Sequence, residues 1–132
     1  MDNTLLIWPI ERGTRAVQVV VLHHVLPDGS RHWDLLVARD VTEGSPLWSV
    51  RCHERPDTAA VGTSLALTRT PDHDAKWLDG KRREVSGGRG VAEQIARGLL
   101  AIGTHGTAIV QWEDGHTSVW RLAGEQLMTL DD

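Results

Sequence analysis

The feature that most limits how this chain can fold is a turn. Val19-Val20-Val21-Leu22-His23-His24-Val25 runs into Leu26-Pro27-Asp28-Gly29-Ser30 and out through Arg31-His32-Trp33-Asp34-Leu35-Leu36-Val37. Two apolar runs around a Pro-Asp-Gly signal are the pattern of a β-hairpin. Proline presets φ at the first corner of a type I turn, and glycine supplies the left-handed residue that follows. A three-residue loop of this kind pairs Leu26 with Ser30. His24 then falls opposite His32 on one face, with Cβ atoms within ~5.5 Å. Asp34 shares that face, diagonal to His24, because side chains alternate along a strand. A two-residue Asp-Gly loop would slip the register and bring His23 to that face instead; the fit of Pro27 to the first turn position favours His24.

Two imidazoles and one carboxylate on adjacent strands suit Mn²⁺, Zn²⁺ or Fe²⁺ and leave coordination positions open to water or substrate. The plainer alternative is an ordinary hairpin surface, with Asp34 paired to Arg31 or Lys76. The whole chain has 132 residues, 40% of them hydrophobic and 24% charged. That size and balance predict one soluble domain, 1–132, with its own core. Phe and Tyr are absent, so aromatic packing falls to six Trp residues spread along the chain. A formal charge of −4 gives no global basic footprint for nucleic acid, so any phosphate binding has to be local. The single Cys52 forms no internal disulfide, and no apolar run is long enough to span a membrane. With no signal-peptide pattern at the N-terminus, a cytoplasmic protein is expected.

Along the chain, residues 1–15 read as an anchored arm or edge strand built on Leu5-Leu6-Ile7-Trp8. Val17 to Val25 is apolar nearly throughout, which implies burial on both faces or cover from that arm. Leu47 to Val50 and Thr63 to Thr68 read as short strands, with Thr70-Pro71-Asp72-His73-Asp74 breaking the second. Val91 to Ile102 is ambiguous: Val91, Ile95, Leu99 and Ile102 have helical spacing, while Gly98 suggests two short strands meeting at a turn. Thr107 to Trp112 and His116 to Leu122 form a second hairpin around Glu113-Asp114-Gly115. Residues 126–132 read as a frayed tail. Many short strands with glycine-rich turns predict a mainly β fold, a small closed or partly open antiparallel barrel with at most one short helix.

Further along, Ser86-Gly87-Gly88-Arg89-Gly90 offers backbone N–H groups without side chains, plus a guanidinium, and could cradle a phosphate; a flexible turn is the plainer reading. It lacks the Gly-Lys-Ser/Thr ending of a P-loop, and Ser86 lacks the setting of a hydrolase nucleophile elbow. His73 sits where a loop often displays a functional side chain. His53, His105 and His116 have no patterned neighbours and read as surface residues, and Lys81-Arg82-Arg83 as a solvated face.

The order His24, His32-Trp33-Asp34-Leu35, Leu47-Trp48-Ser49-Val50, Pro71-Asp72-His73 and Ser86-Gly87-Gly88-Arg89-Gly90 resembles the 3′-phosphoesterase domain of bacterial DNA ligase D, especially its short stand-alone relatives. The resemblance covers roughly Val17 to Arg121. It implies a small β-barrel that uses a divalent metal, preferentially manganese, to trim 3′-phosphates and 3′-terminal ribonucleotides from DNA ends; the donor set keeps zinc as the second candidate. It also implies His24, His32 and Asp34 as metal ligands and His73 as a second active-site histidine at the scissile phosphate. The family's catalytic Arg corresponds to Leu36 and its Tyr to Trp77, so Arg69 and Arg89 become the candidates for binding phosphate charge. The pattern makes Val91 to Ile102 strand–turn–strand, with Gly98 at the turn. Implied partners are DNA 3′ ends, some with an RNA terminus, and a repair ligase or polymerase. The alternative is a catalytically impaired metal-binding module that holds nucleic-acid ends or a repair partner, and the plainest is a β-domain without metal.

Overall fold

The β-branched run that opens the hairpin becomes the strand on which the sheet closes. In the computed structural model, which describes residues 6–42 and 44–131, β1 (Val17–Val25) pairs antiparallel with β2 (Arg31–Val37) on one side and with β6 (Val91–Ile102) on the other. The remaining strands are β3 (Leu47–Cys52), β4 (Ser64–His73), β5 (Arg83–Glu84), β7 (Ala108–Trp112), β8 (Thr117–Ala123) and β9 (Gln126–Leu130). The order β1-β2-β3-β4-β9-β8-β7-β6 returns to β1, making a closed eight-stranded antiparallel barrel, with β5 added on β6. Closure removes the unpaired edges that an open sheet of this size would expose. Short 3₁₀ turns at Ala75–Asp79 and Thr104–Gly106 are the helical segments. Among the described residues no helix is long and apolar enough to cross a membrane.

The hairpin has the register its turn predicts. The Leu26 N–H donates to Ser30 O at 2.8 Å, the Gly29 N–H donates to Leu26 O at 2.9 Å, and Gly29 has φ +88°. His24 pairs with His32 and Leu22 with Asp34.

Trp8 identifies the inside of the barrel. It lies 5.6 Å from Trp48 on β3 and 6.2 Å from Trp120 on β8, ring centroid to centroid. Those strands are separated by β4 and β9, so the three rings meet across the lumen. Leu6, Trp8 and Ile10 are buried, so the arm is anchored in the core; Leu5 lies outside the described residues. Val19 and Val37 share the inward face with Trp48. Val20, Leu22 and Leu36 point outward yet are at most 1% exposed, so β1 is buried on both faces. Each such aliphatic side chain contributes on the order of 1.5–3 kcal/mol by leaving water.

Three expectations are corrected. Val91–Ile102 is one continuous strand, neither helix nor strand–turn–strand. Gly98 lies within it because a Cβ there would sit 2.5 Å from the Gln111 carbonyl oxygen, at the close approach of β6 to β7. The helical spacing arises from a bulge. Val21 pairs with Ala96 but Leu22 with Gln94, so Ile95 is skipped and the inward–outward alternation reverses. β4 runs on through Pro71 to His73. Its register to β3 shifts between Leu47 and Ser49, and a bulge tolerates a residue without an N–H. The supposed frayed tail carries β9, which pairs with both β4 and β8 and completes the barrel.

Candidate metal centre

His24, His32 and Asp34 stand on the outward face of β1 and β2 but are only 7%, 5% and 4% exposed. The cover comes from the chain between β4 and β6, which folds back over this patch. Between them lies a cleft of about 840 Å³, walled by Leu22, His24, Asp34 and Arg51 on the barrel side and by residues of the 70–92 segment, including His73 and Arg89, on the other. Gly90 seats the cover. It has φ +89°, and a Cβ there would lie 1.9 Å from Val25 O, so only glycine fits against the end of β1.

His24 Nδ1 lies 3.0 Å from His32 Nε2, His32 Nε2 lies 3.3 Å from Asp34 Oδ1, and His24 Nδ1 lies 3.8 Å from Asp34 Oδ2. Ligands about 2.1 Å from a common ion are ~3.0–3.4 Å apart in octahedral or tetrahedral geometry. One potential ligand atom from each residue lies within 4.8 Å of the other two, so the cluster fits a cation with little adjustment. His24 Nε2 donates to the Arg89 carbonyl at 2.6 Å. A carbonyl can only accept, so the proton is on Nε2 and the Nδ1 lone pair is directed to the cluster. Two imidazole nitrogens at 3.0 Å need a proton or a cation between their lone pairs. Asp34 meets the same demand, because a carboxylate this buried requires a positive partner.

Burial pushes His32 below the ordinary imidazole value; Asp34 opposes this, while the Arg51 charge and the neighbouring His24 imidazole reinforce it. The neutral ring is the form that binds metal.

His73 ends β4 rather than standing in a loop, and it lines the cleft. Its Nδ1 donates to Pro71 O at 3.1 Å, leaving Nε2 for a ligand. Arg89 also lines the cleft, but its guanidinium folds back on its own loop, with Nε donating to Ser86 O at 2.7 Å and a terminal nitrogen to Ser86 Oγ at 3.1 Å. Arg69 is not a wall residue. Its terminal nitrogens donate to Ser49 O, Thr70 O and the Asp72 carboxylate, and it rests 5.4 Å over the Trp48 ring. Leu36 is fully buried between Val20 and Ser49, and Trp77 is buried against the cleft. His53 and His105 are exposed, as expected. His116 is half-buried, donating to Asp57 O at 2.8 Å and contacting Asp114.

Sequence reasoning missed Arg51. It pairs directly with Asp34 across β2 and β3, lines the cleft, and has a buried Nε without a hydrogen-bond partner. The signal was hidden because Arg39 to Pro46 is a polar connection that does not declare a register. Compared with family models, curated proteins and solved structures, the chain matches none.

Proposed function

We propose that this chain is a divalent-metal-dependent phosphoesterase acting on 3′-phosphate or 3′-ribonucleotide ends of DNA in repair, as the order of its motifs suggests. The observation that carries the reading is the buried His24–His32–Asp34 cluster at the wall of a cleft also lined by His73 and by cationic side chains. The donor set suits Mn²⁺, with Zn²⁺ second. A bound cation would supply Lewis acidity and an activated water. His24, its Nδ1 lone pair fixed by the Arg89 contact, would hold that cation together with His32, and Asp34 would offset its charge. His73 would use Nε2 to contact the phosphate or to protonate the leaving oxygen, a role worth ~10²–10⁴ in rate. With a net charge of −4, recognition would centre on the terminus rather than on a long stretch of duplex, leaving room for a repair ligase or polymerase to supply the rest.

The test is phosphate release from a 3′-phosphorylated primer–template with Mn²⁺. Turnover by the native chain that falls ~10²-fold or more in His73→Gln, with Mn²⁺ binding retained, supports the proposal; no turnover by a fully metal-loaded chain rejects it.

One observation favours a second reading. The position corresponding to the family's catalytic Arg holds Leu36, which is fully buried. A module that binds metal and nucleic-acid ends without cutting would satisfy this, and it predicts end binding that His32→Ala abolishes in the absence of turnover.

A further inference from the structure

Three cationic side chains besides the histidines line the cleft: Arg51, Lys76 and Arg89. They differ in what they are free to do. Lys76 stands on the 3₁₀ turn of the covering segment, is exposed, and belongs to the opposite wall from the ligands. Arg89 is turned back onto Ser86. Arg51 stands on the same sheet face as the ligands, as the register partner of Asp34, which places the two Cβ atoms ~4.5–5.5 Å apart. Its Nε is buried and unpartnered, and no carboxylate among the described residues pairs with it at ion-pair distance. A guanidinium half-removed from water with an idle donor loses hydrogen bonds that a ligand could restore. An anion that coordinates a cation held by His24, His32 and Asp34 would arrive beside that donor.

We infer that Arg51 is the anion-binding residue of this cleft, clamping the phosphoryl group of a terminal phosphate against the metal centre from β3. The inference rests on the metal-centre reading above and names the residue that confers its preference for phosphate. The planar guanidinium fork suits two oxygens of one phosphoryl group, which a lysine reproduces only as a point charge. The rim favours a single phosphate over an extended backbone, because Asp74 and Glu84 also line the cleft and would repel successive phosphates.

The experiment is calorimetric titration of the full chain, first with Mn²⁺ and then, on the Mn²⁺-loaded protein, with inorganic phosphate, for the native protein and for Arg51→Gln, Arg51→Lys and Arg89→Gln. The expected result is one Mn²⁺ per chain in all three variants. Phosphate affinity falls ~10- to 100-fold in Arg51→Gln, the range for losing a charge-assisted hydrogen bond, and by less in Arg51→Lys. Arg51→Lys keeps the charge and the aliphatic stem, so it remains informative if Arg51→Gln is poorly folded. Unchanged phosphate affinity in the Arg51 variants, or a loss confined to Arg89→Gln, overturns the inference while leaving the metal centre standing. Failure of the native chain to bind Mn²⁺ overturns the metal-centre reading and this inference together.

Discussion

His24 gives its Nε2 proton to the carbonyl of Arg89, 65 residues away in sequence, at 2.6 Å. This bond joins the hairpin to the glycine-rich segment and decides which imidazole nitrogen faces His32 and Asp34. The segment therefore orients an imidazole of the His24–His32–Asp34 cluster. Gly90 serves that role by its close approach to the end of β1.

Gly90→Ala should separate these effects. The added Cβ collides with Val25 O and cannot adopt φ +89° without strain, so the cover shifts and Arg89 O leaves His24. Losing such an outer hydrogen bond typically weakens metal binding ~10- to 100-fold, while the barrel below remains closed. Metal titration alongside circular dichroism checks this: weakened binding with a native spectrum is expected.

His116 should give the barrel a pH-dependent increment. Its hydrogen bond to Asp57 O and its contact with Asp114 raise its pKa above the ordinary 6.5, outweighing partial burial. The folded state therefore holds the proton more tightly than the unfolded state. The stabilisation is fully present below the unfolded value and is lost as pH rises through the raised folded value. Urea midpoints of the native chain and His116→Gln should differ most in mild acid and converge in mild alkali. A gap that widens with pH contradicts the assignment.

Cys52 should be chemically silent in the folded protein. It faces the lumen at 0% exposure, and burial, with the Asp34 charge adding to it, pushes its thiol up to about 12. The thiolate is the reactive form. Ellman's reagent at about pH 8, near the free thiol's own range, should label the chain only after unfolding.

The hairpin was legible because turn chemistry acts locally: Pro27 and Gly29 determine the pairing of His24 with His32 without help from the rest of the chain. What the sequence hid depends on partners far along it. The bulge that skips Ile95 is a property of β6 against β1, and it converted strand alternation into an apparent helical period. Pro71 reads as a strand breaker until the shift between β3 and β4 accommodates it. β9 was hidden for a different reason. Its hairpin is a local two-residue loop, Gly124-Glu125, with Gly124 at φ +61°, a legitimate tight turn in a polar stretch that masked the signal. Arg51 was invisible as a site residue because its place opposite Asp34 is a matter of inter-strand register. Arg69, attractive in sequence, holds Asp72 and the β3 backbone instead.

The most direct test of the central claim is the metal content of the purified chain after reconstitution with Mn²⁺, and separately with Zn²⁺, followed by dialysis. The His24–His32–Asp34 geometry predicts one ion per chain, reduced to background in His32→Ala and in Asp34→Ala, each shown to be folded by circular dichroism. No stoichiometric ion in the native chain, or full retention in both variants, would contradict it.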